Sequence, residues 1–116
     1  MYPRCVLPGE DACSELGKRF SRSFLDLLIL RMLSEERLWG YRIMSLLRSR
    51  HEIRVGPPVI YPLLDSMEDK GLVKSEDVYE GKRRRRVYQV TSEGLGLIEC
   101  FKAIVSDLFE DGGHPA

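Results

Sequence analysis

Five consecutive cations, Lys82, Arg83, Arg84, Arg85 and Arg86, follow Glu80-Gly81 and lead into Val87-Tyr88-Gln89-Val90. Ammonium and guanidinium groups in a row can neutralise a polyanion. On an extended segment their side chains alternate, so Arg84 and Arg86 share one face and Arg83 and Arg85 the other. Like charges stacked on a hairpin repel one another unless a polyanion is near. The run therefore points to phosphate contact, and each phosphate neutralised adds about 0.9 to the slope of log affinity against log salt. Catalysis has less to work with. Only His51 and His114 are present, and no nucleophile with a base, carboxylate cluster or metal-ligand spacing emerges, so neither an enzyme nor a cofactor is expected. His51, near a helix end, reads as a favourable charge at the negative pole of the helix dipole. Gly94 and Gly96 open a helix after a strand, but the third position of a dinucleotide fingerprint is Glu99, and that reading fails.

Of the 116 residues, 18 are Lys or Arg and 18 are Asp or Glu, with no net charge and a pI near 6.7. One domain with one modest core is the expectation. The longest apolar-rich run, Phe24 to Leu33, is interrupted by Asp26 and Arg31 and is too short to span a bilayer. Residues 1–17 carry Glu10, Asp11 and Glu15 and lack the order of a signal peptide, so a cytoplasmic protein is expected. Cys5, Cys13 and Cys100 form no CxxC pair and read as ordinary reduced thiols, pairing of Cys5 with Cys13 being the alternative. Neutrality is a cancellation. Residues 1–86 hold 17 Lys+Arg against 13 Asp+Glu, whereas residues 87–116 hold Lys102 against Glu93, Glu99, Asp107, Glu110 and Asp111.

The elements that must carry these side chains follow from periodicity. Residues 1–20 are punctuated by Pro3, Pro8, Gly9 and Gly17 and read as a tail or arm, with at most a short helical turn near 13–20. Ser23 and Asp26 have the spacing of a capping box before a first helix that is apolar on nearly every face. After a polar break at 34–38, a second helix presents Tyr41, Ile43, Met44, Leu46 and Leu47 on one face. A third, starting around Pro58 to Ile60 so that Pro62 costs little, carries Ile60, Leu63, Leu64 and Met67, and Gly71 stops it. Residues 72–79 and 85–90 form a two-stranded hairpin around Glu80-Gly81. Thr91 caps a last helix whose Leu97, Phe101, Ile104 and Leu108 are spaced four, three and four, close to a coiled-coil seam. The fold class is therefore α+β, mainly α: a winged helix-turn-helix over 21–91 with a two-stranded wing, a C-terminal dimerisation helix over 92–110, and a tail over 111–116.

Four motifs carry a resemblance to the PadR family of winged-helix transcriptional regulators. They are Trp39-Gly40-Tyr41-Arg42-Ile43, Val59-Ile60-Tyr61-Pro62-Leu63-Leu64, the run from Met67 to Val73, and the wing exit from Arg84 to Gly94. The resemblance covers about residues 24–108 and is to the compact branch with a short last helix. It implies a homodimer that binds operator DNA, as a repressor released by a small molecule. It further implies that Tyr61 and the wing cations Lys82 to Arg84 approach DNA, and that the last helix, with the first, forms the dimer.

Taken together, the expected DNA contacts are Tyr61, Arg54, Lys82, Arg83, Arg84, Arg86, Arg48 and Arg50. Tyr61 on its own residue type serves core or DNA equally, and Asp65 and Ser66 are the other groove candidates. With no Arg, Asn or Gln inside the third helix, base readout is expected to be partly indirect. The expected dimer surface is Leu25, Leu28, Ile29, Leu97, Phe101, Ile104 and Leu108, because the first and last helices are more apolar than one small core can cover. Two-fold symmetry then implies a pseudo-palindromic duplex site. The rival reading is a winged-helix protein–protein module whose cations meet an acidic partner.

Overall fold

In the computed structural model, which describes residues 10–110, the chain runs α1 (Glu10–Ser23), α2 (Leu25–Leu33), β1 (Leu38–Trp39), α3 (Gly40–His51), α4 (Pro57–Asp69), β2 (Val73–Glu80), β3 (Arg83–Val90) and α5 (Ser92–Phe109). This is an α+β, mainly helical winged helix with two elements more than the periodicity suggested, α1 and β1.

Residues 10–23 form a helix of 14 residues where a tail or arm was expected. Its apolar residues Cys13, Leu16 and Phe20 recur at helical spacing and lead to Phe24, a weak stripe hidden by Gly17 and the polar residues around it. The Ser23–Asp26 capping box is not formed. Ser23 ends α1, and Phe24 takes the N-cap position of α2 without a side-chain cap bond. Asp26 Oδ1 instead accepts from the Leu27 N–H at 2.9 Å. Backbone bonds from Phe24 to Phe20 and from Leu28 to Phe24 carry the chain across this bend. Cys13 on α1 is disulfide-bonded, against the expectation of reduced thiols, while Cys100 is a free, exposed thiol. Cys5, His114 and the residue 111–116 tail lie outside the described residues.

The core is built from α2 to α5 and the three strands. Ile29, Leu30 and Leu33 of α2, Ile43 and Leu47 of α3, and Ile60, Leu64 and Met67 of α4 meet Leu38, Val73 and Tyr88 of the sheet and Ile98 of α5. The strand order is β1-β3-β2, all antiparallel. β1 is two residues at the end of the expected polar break, too short to give a periodic signal, and it pairs Leu38 with Tyr88 and Trp39 with Val87.

Local chemistry sets the boundaries. Pro57 opens α4 after Gly56, one residue earlier than expected, so Pro62 lies inside the helix and forfeits one backbone bond. Gly71 takes φ 76°, its N–H bonds the Glu68 carbonyl, and the Leu72 N–H bonds that of Met67, the Schellman arrangement. The hairpin loop is Gly81-Lys82, closed by the pair Glu80 and Arg83, with Gly81 at φ 64°. β3 therefore begins two residues earlier than the pattern suggested, and four of the five cations stand in the strand. Thr91 caps α5, its Oγ1 accepting from the Gly94 N–H at 3.1 Å and donating to the Gly71 carbonyl at 2.6 Å.

Candidate nucleic-acid interface

α3 and α4 are the helix-turn-helix pair, and the wing stands beside them. Two links orient it. The Glu68 carboxylate at the end of α4 accepts from the Ser75 N–H at 3.1 Å and from its hydroxyl at 2.8 Å, tying β2 to α4. The exposed pair Arg37–Glu76, at 2.6 Å, ties the approach to β1 onto the same strand. Exposed pairs contribute little energy, so the half-buried Glu68–Ser75 link is the stronger constraint.

A groove of about 420 Å³ lies between the helix pair and the wing, lined by Trp39, Gly40, Tyr41, Tyr61 and Arg83 to Arg86. A recess of about 490 Å³ adjoins it through Tyr41 and holds Met44, Arg48 and Arg54. The fold thus brings Tyr61, Arg83, Arg84 and Arg86 into one groove and Arg48 and Arg54 into its neighbour. Lys82 stands on the hairpin tip, and Arg50 is exposed on the last turn of α3 beside His51; neither lines these two cavities. Tyr61 is 39% exposed at the start of α4, with its ring over Gly40.

Tyr41 is the residue that sequence reasoning misplaced. Expected on the apolar face of α3, it is 69% exposed and lines both cavities. A strict helical period through Ile43, Leu46 and Leu47 sets Tyr41 on the opposite side, and that was the available signal.

The wing cations are not all equal. β2 faces them with acids, pairing Asp77 with Arg86 and Glu80 with Arg83 in register. Asp77 lies 3.7 Å from both Arg84 and Arg86, and Glu80 lies 3.7 Å from Arg85. Arg85 also stacks 4.6 Å over the Trp39 ring, which assigns it to holding β1 against the wing. The like-charge stacking is therefore partly relieved within the chain. Lys82 and Arg83 have no ion-pair partner among the described residues.

Three titratable groups record their surroundings. Burial pushes the Tyr88 phenol up, opposed by the Arg86 guanidinium that hydrogen-bonds it. Glu93, in the first turn of α5, is held below the usual carboxylate range by its own backbone N–H and then by the Thr91 and Ser92 hydroxyls. His51 corrects an expectation. Burial, and then the neighbouring Arg50 charge, lower its pKa, so the site disfavours the imidazolium that the helix dipole alone would favour.

The apolar residues assigned to a second subunit divide. Ile29 is fully buried in the core of its own chain and has no surface to offer a partner, which removes it from that set. Leu25, Leu28 and Leu97 pack half-buried against the same core. Phe101 joins Phe20 and Phe24 in a ring cluster with centroids 5.0 to 5.6 Å apart. Ile104 and Leu108, at 51% and 70%, remain exposed beyond the body. Among the described residues, no His, Cys, Asp and Glu group is arranged to hold a metal, and no helix is long and apolar enough to cross a membrane.

Comparison with known proteins places this geometry. Residues 29–99 match the transcriptional regulator PadR-like family. The chain belongs to that family. It is 36% identical to the transcriptional regulator Rv3488 of Mycobacterium tuberculosis over 70% of its own length and 75% of that protein's. Among solved structures, a PadR family regulator from Eggerthella lenta superposes with a TM-score of 0.69 at 30% identity, covering 85% of this chain and 87% of that one. A PadR family regulator from Clostridium difficile does so at 0.66 and 30%, covering 73% and 90%. Like other PadR-like proteins, then, this one is a transcriptional regulator with a winged-helix fold.

Proposed function

We propose that this PadR-like regulator is a homodimer that binds a pseudo-palindromic duplex operator and acts as a repressor relieved by a small-molecule effector. The groove that joins Tyr61 to Arg83, Arg84 and Arg86 is the observation that carries the reading, because it aligns a recognition-helix N-terminus with a basic wing. Arg48 and Arg54 extend the positive rim, and Lys82 and Arg83 are left to meet phosphates. Wing and rim contacts set register, while base choice falls to α4 and to the deformability of the site. Residues 92–110 serve as the dimerisation helix, since Ile104 and Leu108 continue the apolar seam past the point where the body covers it. The acidic residues of that segment then stand away from DNA.

The test is a fluorescence anisotropy titration on random and genome-selected duplexes across a salt series. The double variant Arg83→Ala, Arg84→Ala is expected to weaken binding to all sequences and to flatten the salt slope. Unchanged affinity counts against the wing. Binding that is absent even at low salt favours the protein–protein module instead.

A further inference from the structure

α1 lines neither of the two cavities beside the helix pair, and its two ends differ in charge. Glu10, Asp11 and Glu15 occupy the first half, and Lys18, Arg19 and Arg22 the second. That order suits the helix dipole. The dipole does not explain why two of the cations share a face. Lys18, Ser21 and Arg22 fall at i, i+3 and i+4, a spacing at which like charges repel by a few tenths of a kcal/mol, and Phe20 lies on the other side. Phe20 packs on Phe24 and Phe101, with ring centroids 5.0 and 5.6 Å away, and this anchors the last turns of α1. The opposite face then meets the turn between α3 and α4. Lys18, Ser21 and Arg22 line a recess of about 300 Å³ with Glu52 and Arg54.

Arg54 also lines the recess that holds Arg48 and Tyr41, so the α1 cations continue the basic rim on the side away from the wing. Lys18, Arg22 and Arg54 have no ion-pair partner among the described residues, although Glu52 shares their recess. Three unneutralised cations from two distant segments converge on one open surface that is continuous with the helix-turn-helix. From this we infer that α1 is a second backbone-binding arm, in which Lys18 and Arg22 grip phosphates of the duplex beyond the helix-turn-helix, at the end opposite the wing. The inference rests on the proposed DNA binding. The occupant is a duplex backbone rather than a small anion because the recess is open, shares Glu52, and merges with the face that the wing completes.

The full chain is titrated on a random duplex and on a genome-selected duplex across a salt series, as the double variant Lys18→Gln, Arg22→Gln and as the wild type. The expected result is a slope reduced by about 0.9 per lost phosphate, up to about 1.8 for the pair, with equal loss on both duplexes. Hydroxyl-radical protection should shorten at the α1 end, while the wing variant Arg83→Ala, Arg84→Ala shortens it elsewhere. Lys18→Arg should keep the wild-type slope, and unchanged melting temperatures separate contact loss from misfolding. A wild-type salt slope in the double variant overturns the arm and leaves the DNA reading standing. Saturable binding of inorganic phosphate by the wild type alone, with duplex affinity equal in wild type and double variant, overturns it too and identifies a small-anion site. A wild type that binds no duplex at low salt overturns both.

Discussion

The ring of Tyr61 lies over Gly40 so closely that a β-carbon on Gly40 would stand 2.6 Å from both its Cε1 and its hydroxyl oxygen. The first residue of one helix of the pair thus leaves the space that the tyrosine of the other needs. Gly40→Ala must move an aromatic side chain that is only 39% exposed and sits at the mouth of the basic groove. It is expected to weaken duplex binding about fivefold to tenfold, since losing one or two neutral hydrogen bonds costs about 1–1.5 kcal/mol. Tyr61→Phe should reproduce about half of that loss in free energy with an unchanged melting temperature. A fall in melting temperature with unchanged affinity makes Tyr61 a packing residue.

Asp77 restrains two wing arginines at 3.7 Å. Asp77→Asn releases Arg84, leaves Arg86 held by Tyr88, and removes a negative charge from the wing. Random-duplex affinity at low salt is expected to rise roughly threefold, with a steeper salt slope. Thermal stability should change by less than about 1 kcal/mol, because exposed ion pairs hold little. Anisotropy titrations and a melting curve decide both.

Gly94 permits the start of α5 to press on the sheet. A β-carbon there would collide with the Leu72 carbonyl oxygen and stand 2.7 Å from Val90 Cγ2. Backbone cannot yield as a flexible side chain can, so Gly94→Ala should destabilise the fold by about 1–3 kcal/mol. Gly96, with nothing within 4 Å, should accept alanine and gain helix propensity. Urea denaturation of the two variants is the comparison.

His51 makes stability depend on pH in a fixed direction. Its pKa in the folded chain is lowered by burial and by Arg50, whereas the unfolded chain keeps the ordinary value of about 6.5. Above that value the imidazole is neutral in both states and contributes nothing. As pH falls through about 6.5, the unfolded chain takes the proton first, and stability is lost until the folded pKa has also been passed. His51→Gln should therefore melt closer to its neutral-pH value at pH 5 than the wild type does. An equal acid shift in both proteins assigns the loss to other groups.

Much of this regulator is written in local chemistry. Ile60, Leu64 and Met67 share a helical face, Gly71 has to stop α4, and Thr91 has to start α5; each follows from spacing and side-chain type without knowledge of the neighbours. The family resemblance, too, rests on short motifs whose order is visible along the chain. β1 was not legible, because two residues have no period and Leu38-Trp39 becomes a strand only when β3 supplies the hydrogen bonds. The helix over 10–23 was not legible either, since its weak stripe gains its meaning from Phe24 and Phe101, the latter from the far end of the chain.

The five cations at 82–86 mark the division most clearly. That a basic hairpin follows the helix-turn-helix is legible along the chain, because alternation, glycine and charge are properties of neighbouring residues. What each cation does depends on strand pairing and packing. The register sets Asp77 beside Arg84 and Arg86, a two-residue strand slides Trp39 under Arg85, and Lys82 and Arg83 are left to solvent or to phosphate. A charge's effect depends on its distance to other charges, and those distances are set by pairing between segments that lie far apart in the chain.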